Sequence, residues 1–136
     1  MIELGTTNQC PITTDADIVV ARQMGRRMAE ELGFSRSDQA LIATAISELA
    51  RNIVNYANFG TVEIRRVDRG RKIGLQVIAS DEGPGIADVE LAMTEGFSTG
   101  KSLGLGLPGT RRIADLFDIE SDPGRGLKVT IVKWKQ

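Results

Sequence analysis

The chain contains no histidine. That absence excludes Ser-His-Asp hydrolytic triads and histidine-bearing zinc sites, and it leaves no residue of the chain able to hold a phosphoryl group as phosphohistidine. Cysteine is nearly absent as well. Cys10 stands alone, so no internal disulfide can form, which fits a reducing cytoplasm. No apolar run approaches the ~20 residues that cross a bilayer. The N-terminal stretch "MIELGTTNQCPITTD" also lacks a basic segment followed by an apolar one. Neither a signal peptide nor a membrane partner is expected. Positive charge is not massed in any tract: 17 basic residues face 18 acidic ones, and the basic ones are scattered over "ARQMGRRM", "IRRVDRGRK" and "TRRIAD". Nucleic acid calls for a dense positive face, so it is not an expected partner.

What is present is an ordinary globular composition, 41% apolar and 26% charged over 136 residues. One domain spanning residues 1–136 is expected, long enough to bury a core without staples. Ile18, Ala21, Met24, Met28 and Leu32 recur at helical spacing after a Thr14/Asp15 cap and before Gly33, and this face is read as core. A second helix is predicted from a cap near Ser37 to about Ala57, with Ile42, Ile46, Leu49, Ile53 and Tyr56 as its stripe. "TVEIRRVD" and "KIGLQVIAS" alternate as an antiparallel hairpin turned at "RGR". Then come the break "DEGPGI", a short helix over 88–94, a loop over 97–103, and a helix from near Pro108 through "GTRRIADLF". "DIESD", the turn "PGRG" and the strand "LKVTIVKW" close the chain. This order of elements predicts an α+β fold, a two-layer sandwich of mostly antiparallel sheet with helices on one face.

The stretch "GFSTGKSLGLGLPG" offers two phosphate-binding signatures. Gly96 and Gly100 enclose three residues where a P-loop needs four, and a helix-like segment precedes them. Gly104, Gly106 and Gly109 fit the Rossmann spacing, but no strand precedes them and too little chain follows. Taken alone, the stretch is a flexible glycine loop leading into a helix. Two other features change that reading. "SELARNIVNYA" sets Glu48 and Asn52 one helical turn apart, a pair that alone is a solvated helix face. "DEGPGI" sets Asp81 at a strand end before Gly83 and Gly85, a pattern that alone is a plain turn.

In this order, E-x-x-x-N, D-x-G-x-G and G-L-G-L before a helix resemble the GHKL-type ATP-binding domain of gyrase, Hsp90, histidine kinases and MutL. The resemblance runs from Ser37 to the C-terminus, and "GFSTGKSLGLGLPGTRRIADLFDIES" is most similar to the branch of anti-sigma-factor and stressosome switch kinases. It implies a Bergerat-type fold, ATP as substrate and Mg²⁺ as cofactor. Asn52 is then the metal ligand and part of the nucleotide site, and Asp81, Gly83, Gly85 and Ile86 form the first glycine box, with Asp81 accepting the adenine amino group. Gly104, Leu105, Gly106 and Leu107 form the second box, cradling phosphate with the following helix N-terminus. Residues 85–103 become an ATP lid, where Lys101 either reaches the terminal phosphates or is a solvated loop lysine. Glu48 becomes the general base, and all these groups gather around one pocket. Many relatives carry a threonine after the glycine preceding the last strand; here Gly126 is followed by Leu127 and Lys128, and whether Thr130 replaces it stays open.

Without histidine, the phosphoryl acceptor lies in trans. The resemblance implies a serine or threonine on STAS-domain scaffold or antagonist proteins, followed, after release, by activation of a PP2C-type phosphatase in general-stress sigma-factor signalling. Two alternatives accompany it. One is an anti-sigma factor that binds a sigma subunit directly and phosphorylates its antagonist, and the other is an ATP-dependent binding module that transfers nothing.

Overall fold

The computed structural model of the chain describes residues 2–85, 93 and 106–136. In chain order its elements are β1 (Glu3–Ile12), α1 (Asp15–Glu31), α2 (Arg36–Tyr56), β2 (Gly60–Arg69), β3 (Lys72–Asp81), α3 (Leu107–Ile113), β4 (Leu116–Asp122) and β5 (Gly126–Trp134). The short helix expected over 88–94, the loop over 97–103 and nearly all of the lid lie outside the described residues; of the lid only Gly85 and Met93 are described, Met93 as a turn.

α1 begins where Asp17 Oδ2 accepts the N–H groups of Thr13 and Thr14 at 2.8 and 3.0 Å, satisfying donors that the first helical turn leaves free. Gly33, at φ 88°, follows its last turn. α2 begins two residues earlier than its sequence suggests. Ser35, rather than Ser37, is the cap, and its Oγ accepts the Asp38 N–H at 3.1 Å.

The five described strands form one antiparallel sheet in the order β1-β2-β3-β5-β4. Directly opposed residues share a face, so Val62, Ala79 and Val129 form one row and Ile64, Val77 and Ile131 the next. Both rows are buried against Ile42, Ile46, Leu49 and Ile53 of α2, and each valine, leucine or isoleucine among them contributes roughly 1.5–3 kcal/mol by burial. The other face carries a smaller cluster of Val67, Val132 and Trp134. Trp134 lies there over Gly74, where an added Cβ would meet the indole at 2.6 Å.

Two expectations are corrected. β1 was absent from the predicted order, because its burial alternates only at its end, at Cys10 and Ile12, and the strand is held to β2 by main-chain pairing. The third helix was expected to run through Phe117, but it stops at Ile113. There the Asp115 N–H donates to the Val132 carbonyl at 2.9 Å, and Asp115 Oδ2 accepts the Trp134 N–H at 2.7 Å, so the chain has already joined the sheet. Phe117 and Ile119 then alternate inward on β4.

Candidate active site

The site is laid out along α2. Its buried stripe faces the sheet, and Glu48 and Asn52 flank that stripe one turn apart. Asn52 is buried, at 9% exposure, whereas Glu48 is half-buried. Toward the C-terminal end of the helix, the turn after β3 packs directly on Ala57: a Cβ at Gly83 would lie 2.6 Å from the Ala57 Cβ, so only glycine fits. This close approach carries Asp81 to the end of α2. Its Oδ1 accepts the Gly83 N–H at 2.9 Å. Burial pushes the Asp81 carboxyl above the usual carboxylate range, against the opposing pull of the Gly83 and Leu127 amides. A half-buried acceptor of this kind can select a ligand donor.

Asp81 opens onto a cleft of about 680 Å³ whose walls include Ser80, Ile119, Ser121, Gly126 and Leu127. Gly85, at φ 70°, sits against the Asp122 and Gly126 carbonyls, and the Gly124 N–H donates to Pro84 O at 2.6 Å. The first glycine box is thereby tied to the β4–β5 turn. Leu127 lies directly opposite Asp81 in the sheet, while Thr130 lies opposite Ile78, three positions away.

Glu48 lies at the other end of the layout. Its Oε1 accepts from Arg51 Nη1 at 2.9 Å. A Cβ added at Gly106 would come within 2.5 Å of its Oε2. Gly106 is the N-cap of α3 in the left-handed region, φ 69°, and any side chain there would both strain the backbone and displace the carboxylate. Leu107 is fully buried and anchors the first turn in the core. With only seven residues, α3 offers little dipole, so any anion held here is held by local N–H donors.

The single pocket expected takes in Ile86, Lys101, Gly104 and Leu105, which lie outside the described residues. Glu48 and Gly106 line a groove of about 620 Å³ between α2 and α3, and Asp81 lines the cleft beside β5. Glu48 and Ala57, the residue against which the turn after Asp81 packs, are nine residues and about 13 Å apart along the helix axis, at about 1.5 Å per residue. That is an elongated arrangement, with Asn52 between its ends. Arg51 was not anticipated, although its position three residues after Glu48 on a helix is a sufficient signal.

No cluster of three or more His, Cys, Asp or Glu side chains able to cage a metal occurs among the described residues. That donor set still suits Mg²⁺, which binds through one or two protein oxygens and completes its shell with water and phosphate. The Asn52 amide oxygen and the side-chain-free cradle at Gly106 are compatible with such a shared ion.

Comparison with known proteins identifies the family and the fold. Residues 37–136 match the family described as histidine kinase-, DNA gyrase B-, and HSP90-like ATPase. The chain is 54% identical to the serine/threonine-protein kinase RsbT of Bacillus subtilis (strain 168), over 90% of this chain and 92% of that protein. It is 34% identical to an anti-sigma F factor of Thermoanaerobacter sp. (strain X514), over 84% and 82% of the two chains. Among solved structures, the catalytic domain of the histidine kinase ThkA superposes with a TM-score of 0.54 at 17% identity, covering 94% of this chain and 96% of that one. At that identity the likeness concerns the fold alone.

Proposed function

The chain belongs to the histidine kinase-, DNA gyrase B- and HSP90-like ATPase family and is an ATP-dependent serine/threonine protein kinase; from that premise we propose that its acceptors are STAS-domain scaffold or antagonist proteins. In this reading the kinase, once released from them, activates a PP2C-type phosphatase in general-stress sigma-factor signalling, in the cytoplasm. The observation that carries the catalytic part is the placement of Glu48 Oε2 against Gly106.

Asp81, at the end of the site beside β5, accepts the adenine amino group, an assignment that favours adenine over guanine. Asn52 would hold Mg²⁺ through its amide oxygen, and that ion, when bound, would neutralise phosphate charge. Gly106 and the start of α3 cradle the phosphate chain, while Gly104, Leu105, Ile86 and Lys101, outside the described residues, are assigned to the nucleotide site from the sequence motif alone, Lys101 as the candidate for the terminal oxygens. Glu48 orients the acceptor hydroxyl through Oε2. The hydroxyl oxygen bonds to the γ-phosphorus, the bond from that phosphorus to the β–γ bridging oxygen breaks, ADP leaves with the bond pair, and the hydroxyl proton passes to Glu48. Transfer of this kind has a loose transition state, so positioning contributes most of the acceleration and the base on the order of 10²-fold or more.

The test is incubation with labelled Mg-ATP and a purified STAS-domain protein. Phosphoserine or phosphothreonine should form in the acceptor and be lost with Glu48→Ala, while nucleotide binding survives. Absence of transfer by the wild-type chain would remove the assignment of acceptor. The likeness to anti-sigma F factors favours a second reading, in which a sigma subunit is bound directly. Recovery of a sigma factor with the chain, in place of a STAS scaffold or phosphatase, would select it.

A further inference from the structure

We propose that the groove between α2 and α3 receives the hydroxyl-bearing segment of the acceptor protein, an inference that rests on the nucleotide and base assignments above. The groove is lined by Leu41, Thr44 and Glu48 of α2 and by Gly106, Thr110 and Ile113 on the other side. Positions 41, 44 and 48 fall on one face of the helix. They continue, toward its N-terminus, the line that runs from Asp81 through Asn52 to Glu48. In-line phosphoryl transfer requires the attacking oxygen to enter opposite the departing ADP. With adenine at the Asp81 end, the side opposite ADP is the side on which this groove begins.

Three features of the groove suit a peptide segment. Leu41 is an apolar side chain left 40% exposed at its far end. Thr110 is 1% exposed, and its Oγ1 has no hydrogen-bond partner among the described residues. Arg112 and Lys133 stand along the same walls, and Lys133 Nζ, which bonds to Ile113 O at 3.0 Å, lies 3.9 Å from the Asp38 carboxylate. Those cations favour a segment with an acidic residue over a basic one. The seven-residue interval from Leu41 to Glu48 spans about 10 Å of helix, which an extended segment covers in about three residues. The occupant is therefore an acidic, extended segment with an apolar anchor about three residues from the acceptor hydroxyl.

Leu41→Glu and Thr44→Glu change solvent-facing positions of the groove outside the proposed nucleotide contacts. We expect Mg-ATP affinity within about two-fold of wild type, read with a fluorescent ATP analogue, and a KM for the STAS-domain acceptor raised about ten-fold or more. Calorimetric binding of the acceptor should weaken in parallel. Leu41→Ala provides a milder variant if Leu41→Glu fails to fold. If the wild-type chain transfers phosphate and the folded variants do so with unchanged KM and acceptor affinity, the groove is overturned while the kinase reading stands. If the wild-type chain does not bind Mg-ATP, the nucleotide assignment and the groove both fall, and if it binds Mg-ATP but transfers nothing to the acceptor, the acceptor assignment and the groove fall together.

Discussion

The two oxygens of the Glu48 carboxylate have different neighbours, and this separates orientation from chemistry. Oε1 is engaged by Arg51 at 2.9 Å, leaving Oε2 toward the Gly106 loop. Arg51 and Glu48 side chains are 48% and 32% exposed, and an ion pair that open contributes only about 0–1 kcal/mol to stability. Arg51→Ala should therefore leave the melting temperature nearly unchanged, yet lower kcat about ten-fold through lost orientation, with Mg-ATP affinity intact and Arg51→Lys retaining part of the rate. A kcat equal to wild type in the alanine variant would show that Arg51 has no positioning role. At Asp81 the physics is different. Burial raises its folded-state pKa, so between its unfolded value near 3.9 and the higher folded value the native state binds more protons than the unfolded chain. Stability contributed by this group consequently falls as pH rises through that window. Asp81→Asn should flatten this part of the urea-midpoint profile and be no less stable than wild type near neutrality, while nucleotide affinity drops more than ten-fold because a carboxylate acceptor becomes a weaker amide one. A steeper fall for the variant than for wild type over the same pH range would contradict the assignment.

At the scale of elements, what was readable followed apolar periodicity. α2 and the β2–β3 hairpin were legible because Ile42, Ile46, Leu49 and Ile53 repeat at helical spacing, while Val62 and Ile64 alternate on β2 and Leu75, Val77 and Ala79 on β3. β1 was not, since an edge strand held by main-chain bonds needs no apolar signature over most of its length. The end of α3 was misread for the opposite reason. Leu116 and Phe117 looked like one more helical turn, and nothing local announces that Asp115 closes on the main chain of β5. The start of α1 was legible from Thr14 and Asp15, although the residue that fastens it is Asp17. Hydrogen bonds from Thr13 and Thr14 hold the Asp17 carboxyl below the usual carboxylate range. The sign is therefore the reverse of that at Asp81: its contribution is present above the unfolded value near 3.9 and is lost as pH falls through the lower folded value. Asp17→Ala should be destabilised near neutrality, and the gap to wild type should narrow as the solution is acidified through this titration. A gap constant with pH, followed by chemical denaturation, would mean that the carboxylate charge is irrelevant to the cap.

For the molecule as a whole, the order of three short motifs along the chain was more informative than any of them alone, because the fold spreads their residues along one helix. The glycine signatures could not reveal which residues complete the cleft walls, since these come from residues as remote as Ile119, Lys133 and Leu127. This spread has a thermodynamic consequence. A ligand that binds the native chain alone stabilises it by RT ln(1 + [L]/Kd), about 2.7 kcal/mol at a hundred times Kd, which for a domain of this size raises the melting temperature by roughly 10 °C. Mg-ATP should produce such a shift in the wild-type chain. Asp81→Asn and Asn52→Ala, at the adenine and metal positions, should largely abolish it. Glu48→Ala and Arg51→Ala should retain it, because they act on the transferring end without binding the nucleotide ground state. GTP should give little shift in any of them if Asp81 reads the adenine amino group. Loss of the ATP shift in Glu48→Ala to the same extent as in Asp81→Asn would place both carboxylates in ground-state binding, and the separation of nucleotide, base and acceptor along α2 would no longer hold.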